Sequence, residues 1–126
     1  MGFLGRIRGA LGRVAESDEV RLGEETLAWA ASIPDTVRID AAPLRSQVRL
    51  AGVVRRMTVR PAEGAPTLEA LITDGTGEVT IVWTGRAWIP GLTLGTHLVV
   101  EGLLADQRSE RRVVNPRFEF ASAESA

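Results

Sequence analysis

Three features of the sequence predict an all-β fold, a small five-stranded barrel carrying an N-terminal helical extension. The stretch from Leu68 to Gly91, LEALITDGTGEVTIVWTGRAWIPG, reads as two strands joined by a tight turn and followed by an irregular crossing. The run QVRLAGVVRRMTVR, Gln47 to Arg60, alternates over a length well beyond the ~5–6 residues of an ordinary strand. Two further strand-like runs follow the crossing, HLVVEGLLA from His97 to Ala105 and RRVVNPRFEF from Arg111 to Phe120.

Each element has its own chemical reason. In the hairpin, Asp74-Gly75-Thr76-Gly77 supplies residues that tolerate turn conformations, while Glu78 to Trp83 alternates polar and apolar side chains suited to a half-buried pleat. In the long first strand, Val48, Leu50, Gly52 and Val54 share one face, and Arg49, Ala51, Val53 and Arg55 the other. Gly52 is the expected bend that lets one strand serve both sides of a barrel. Asp106 to Glu110 is a polar turn, and Pro116, which has no N–H to donate, implies an edge or bulge in the last strand. Before Arg45 the pattern is helical. Leu4, Ile7, Leu11 and Val14 form a stripe beside Arg6, Arg8 and Arg13, although Gly2, Gly5, Gly9 and Gly12 weaken that helix. Ser17 is a good cap for a second helix that ends at Pro34, with Leu27, Ala30 and Ala31 as its apolar face and Trp29 nearby. The expected division is residues 1–33 helical extension, 34–44 linker, 45–120 barrel and 121–126 disordered tail.

Composition narrows the function classes. The 126 residues suit one domain, and the absence of cysteine removes disulfides and thiolate metal sites, as expected of a cytoplasmic protein. The net charge is −1, and all fifteen cations are arginine. Residues 45–120 carry ten arginines against eight acids, a local +2. An all-arginine cation set fits both a GC-rich coding bias and a surface that pairs bidentately with phosphate. Catalysis has little support: His97 has no cysteine or second histidine as co-ligand, Asp74 sits in a turn where it bonds local backbone, and GTG in a hairpin is not a phosphate loop. The expectation is a non-enzymatic protein without metal or cofactor.

Strand order and residues together resemble a known fold. A long first strand, a hairpin, an irregular crossing and two more strands follow the order of an OB-fold. Val48-x-Leu50-x-Gly52, then DGTGEV, then Leu94-Gly95-x-x-Leu98-Val99-Val100-x-Gly102 resembles the tRNA-anticodon-type OB-fold. VWTGRAWIPG (Val82 to Gly91) and VVNPRFEF (Val113 to Phe120) look like the small stand-alone OB-fold nucleic-acid-binding proteins of actinobacteria, and the second is also similar to the end of the OB wedge domain of RecG helicase. The resemblance covers residues 45–120. It implies binding of single-stranded or branched DNA, with RNA also admissible, across strands two and three and between the first and last loops.

Single-strand binding needs cations for phosphates and flat rings for bases. The candidate cations are Arg49 and Arg55 on the first strand, Arg56 and Arg60 near the first loop, Arg86 after the third strand, and Arg108, Arg111 and Arg112 at the last loop. The candidate planes are Trp83, Trp88 and Phe118. Strand alternation places Trp83 on the Val79–Ile81 side, which points inward, and sets Glu69 rather than an aromatic in the middle of the platform. Binding is therefore expected to be modest and salt-sensitive. The second reading is an interaction module, with the N-terminal helices binding a protein partner or a second copy of the chain, or covering the groove.

Overall fold

The computed structural model describes residues 19–61 and 64–122. The stripe Leu4, Ile7, Leu11, Val14, the cap at Ser17 and the tail 123–126 lie outside the described residues. A helix, α1, covers residues 19–32. Six strands follow: β1 (Gln47–Arg60), β2 (Thr67–Thr73), β3 (Glu78–Thr84), β4 (His97–Gln107), β5 (Glu110–Val114) and β6 (Arg117–Ala121). A 3-10 turn, Ile39–Ala41, precedes β1. No described helix is long and apolar enough to cross a membrane.

The strands form one mixed sheet in the order β1-β2-β3-β5-β4-β6, and β1 also pairs β4, so five strands make a closed ring. All pairings are antiparallel except β3 with β5. β1 serves both sides of the ring: residues 47–53 pair β4, and 53–60 pair β2. The handover at Val53 comes one residue after Gly52, where a Cβ would meet Ile72 Cδ1 at 2.9 Å. Glycine is there because the strand lies against Ile72, and that close approach permits the bend.

The expected fifth strand is two. Asn115 adopts φ 48 and Pro116 follows, so the chain jogs and resumes as β6 on the same edge of β4. Asparagine tolerates this left-handed backbone, and proline cannot continue the ladder. The Asn115 side chain receives the Thr84 N–H at 3.0 Å and donates to Thr84 Oγ1 at 3.0 Å, which fastens the jog to the end of β3.

The core inside the ring includes Leu50, Val54, Leu68, Ala70, Ile72, Ile81, Leu98, Val100, Leu104 and Val113. Ile39 from the 3-10 turn, and Ile89 and Leu92 from the 85–96 connection, enter the same core. The stretch expected to be a linker thus supplies core. Its anchor is Asp74, whose Oδ2 accepts the Ile39 N–H at 2.9 Å, while Oδ1 accepts from Thr76 N, Thr76 Oγ1 and Gly77 N. Arg111 donates to the Ile39 carbonyl on the other side of the turn.

α1 packs outside the ring. Trp29, Ala30 and Ile33 bury against Ala51 and Val99, so the expected face of Leu27, Ala30 and Ala31 is off by part of a turn: Leu27 and Ala31 are exposed. Trp29 meets His97 edge to face at 4.5 Å and donates its indole N–H to the Ser122 carbonyl at 2.9 Å. Ala121 closes β6 and Ser122 holds this bond, so the chain is ordered past residue 120.

Candidate nucleic-acid interface

Strand pairing builds a polar face on the outside of the ring. Arg56 lies opposite Leu71, Leu71 opposite Thr80, and Thr80 beside Arg112. The neighbouring row runs Thr58, Glu69, Val82, Val114. At ~4.8 Å between strands, each row spans about 14 Å. A groove of about 460 Å³ lies over this face, and its polar walls are Arg56, Thr58, Arg60, Glu69, Glu78, Thr80, Ser109, Glu110 and Arg111.

Glu69 sits in the middle, only 8% exposed. Its Oε2 accepts from Arg60 Nε at 2.9 Å, and its Oε1 lies 3.6 Å from Arg112, which also reaches Glu110 at 3.3 Å. A buried carboxylate costs desolvation energy unless cations compensate it, and here one arginine stands on either side. Two cations of the face are therefore already engaged. Arg111 is a third, tied to Ile39 and facing Asp40, whose carboxyl is held below its usual range by the hydrogen bond from Arg38.

Arg55 and Arg56 differ. The β1–β2 register slips between Val54 and Arg56, leaving Arg55 as the extra residue of a β-bulge. Consecutive strand residues normally point to opposite faces, and the bulge puts both arginines in one place. Both are exposed and line a second groove of about 500 Å³ beside the first, walled by Gly23 and Thr26 of α1 and by the hairpin turn Thr73–Glu78. Neither forms an ion pair with another described residue.

The structure thus brings Arg55, Arg56, Arg60, Arg111 and Arg112 to one region. Five of the expected site residues stand elsewhere. Arg49 faces away from the grooves, held by Glu101 at 2.7 Å, Glu119 at 3.3 Å and the Pro34 carbonyl at 3.3 Å, and the two carboxylates raise its pKa further, the Glu101 hydrogen bond most of all. Arg86, Trp88 and Arg108 are exposed but line neither groove. Trp83 is not a stacking plane: it is 4% exposed and packs edge to face on Phe118 at 5.4 Å inside the ring. Among the described residues no aromatic side chain lines either groove.

Solved structures similar to this chain bear on the fold alone. The structure of RecG bound to a three-way DNA junction is similar, with a TM-score of 0.59 at 13% identity over 69% of this chain. The ring is an OB-like fold. This chain spans 13% of that RecG chain's length. A replication protein A heterotrimer bound to ssDNA is similar at a TM-score of 0.48 and 17% identity, covering 71% of this chain and 68% of that one. No family model matches the chain, and no curated protein matches it in sequence. In an OB fold the ligand face is that of strands two and three between the first and last loops, and the first groove lies there. Among the described residues no cluster of three or more His, Cys, Asp or Glu is placed to hold a metal ion.

Proposed function

We propose that this chain is a non-enzymatic OB-fold nucleic-acid-binding protein that takes single-stranded or branched DNA on the β2–β3 face. One observation carries the reading: arginines from β1 and β5 converge on the ligand face of an OB-like ring, where Arg56, Arg60 and Arg111 line one continuous groove. Guanidinium groups bind phosphate oxygens in pairs, and each phosphate neutralised releases counterions. The likeness to RecG supports the fold on which this reading rests. With no aromatic among the described lining residues, and with Glu69, Glu78 and Glu110 in the same groove, affinity comes from charge rather than stacking.

The test is a fluorescence-anisotropy titration of labelled single-stranded DNA at two salt concentrations, with forked, duplex and RNA competitors. Wild type is expected to bind at low salt and to weaken steeply as salt rises. Replacing Arg56 and Arg60 together by Gln should flatten the log–log salt slope by about 1.4, two contacts at ~0.7 each for a single strand. An unchanged slope in a variant that folds normally rejects the groove. The second reading, a protein-interaction module, gains ground if no nucleic acid binds at low salt.

A further inference from the structure

We infer that α1 forms the second wall of the nucleic-acid track, so that a strand lying across the β2–β3 face continues past Arg56 into the cleft between α1 and the hairpin turn, with its phosphates on Arg55 and Arg56. The inference rests on the reading of the OB face as the nucleic-acid seat and extends it to a groove that the OB ring alone does not make.

Three observations support it. The two grooves are continuous: Arg56, Leu71 and Glu78 line both. Positive charge that no described carboxylate compensates lies at their junction. Arg60 and Arg112 are engaged with Glu69, and Arg111 with Ile39, whereas Arg55 and Arg56 are exposed and paired with no described acid. A phosphate therefore displaces no described protein partner there, while at Arg60 it must compete with a carboxylate. Finally, the cleft walls suit a sugar–phosphate backbone. They offer the hydroxyl of Thr26 and the small Gly23, Gly75 and Gly77, the Thr73 and Thr76 hydroxyls donating within the turn to the Gly77 carbonyl and Asp74, and Glu78 is the one acid among the described lining residues. The helix is held firmly enough to act as a wall, since Gly75 lies against it so closely that a Cβ there would be 3.0 Å from the Gly23 carbonyl and 3.1 Å from Leu27 Cβ.

A track that includes the cleft is longer than the ring face alone. The four-strand row spans about 14 Å, room for roughly two to three nucleotides, and the cleft, about 500 Å³ against 460 Å³ for the first groove, extends it. The experiment titrates the full chain with oligothymidylates from about four to about twelve nucleotides, the range of OB-domain site sizes. Thr26→Glu and Thr26→Arg are compared with wild type, because Thr26 faces the cleft and not the first groove. Circular dichroism and thermal unfolding confirm that both variants fold. On the longer oligomers, Thr26→Glu is expected to weaken binding by about three- to tenfold and Thr26→Arg to tighten it, as one charge beside the phosphates should. The shortest oligomer should bind all three proteins equally. If wild type binds but the Thr26 variants match it at every length, the helix wall is wrong and the OB-face reading stands. If wild type binds no oligomer at low salt, the OB-face reading fails and the extension with it.

Discussion

Glu69 is a carboxylate in the centre of a face that otherwise suits an anion. It holds Arg60 at 2.9 Å and approaches Arg112 at 3.6 Å, so it fixes where both guanidinium groups sit and also cancels part of their charge. Glu69→Gln keeps the shape and removes the charge. We expect tighter DNA binding with a steeper salt slope, read by anisotropy, together with a loss of about 1–2 kcal/mol in urea unfolding as Arg60 loses its carboxylate and Arg112 keeps only Glu110. Tighter binding would show that Glu69 attenuates the groove, and weaker binding that holding the arginines in place matters more than their free charge. Glu69 was legible in the sequence because strand alternation alone sets its direction, and the same alternation turns Trp83 inward. Arg55 and Arg56 were not legible as a pair. A bulge inserts one residue into the count, and nothing in VVRRM marks where the parity changes. The place of Arg49 away from both grooves was not legible, because alternation gives the side of the strand but not which side of a closed ring carries the grooves.

At the scale of elements, the strands were readable nearly to the residue, and β1 has the expected bounds. Long alternating runs bounded by turn residues leave few other options. The 3-10 turn was not readable, since Ile39 lies in a short stretch between two prolines, with only Val37, Ala41 and Ala42 as apolar neighbours and no periodicity to reveal it. Its place in the core depends on Asp74, which lies far off in the chain. The jog between β5 and β6 is open to a direct test. Asn115→Ala removes both bonds to Thr84 and puts a Cβ residue less tolerant of φ 48 at that position. Asn115→Gly removes the bonds but not the tolerance. We expect the alanine variant to lose about 1–2 kcal/mol by urea unfolding and the glycine variant to lose less, the difference reporting the left-handed backbone. Equal losses would assign the whole effect to the side-chain bonds. α1 likewise belongs to the folded unit: Trp29, Ala30 and Ile33 share a cluster with Ala51 and Val99. Deleting residues 1–33 therefore strips core as well as uncovering a groove, and cannot test groove cover by itself.

For the whole molecule, the three tryptophans report three regions. Trp29 is buried under the helix, Trp83 lies inside the ring, and Trp88 is 71% exposed on the 85–96 connection. Acrylamide should quench one accessible emitter, and Trp88→Phe should abolish that fraction. Because Trp88 lines neither groove, bound DNA should leave its accessibility unchanged. Protection by DNA would move the ligand path toward the far end of β3. The ring's closure has a further consequence. The parallel seam between β3 and β5 runs only from Thr80 beside Arg112 to Val82 beside Val114, while the β2–β3 ladder runs the length of both strands. Breathing of the folded protein should begin at that short seam, and amide deuterium uptake there should lead the other strands. The groove lies across the same strands, so a bound single strand would act as a splint on the joint that opens first, and its binding energy would appear as slowed exchange at Val82 and Val114.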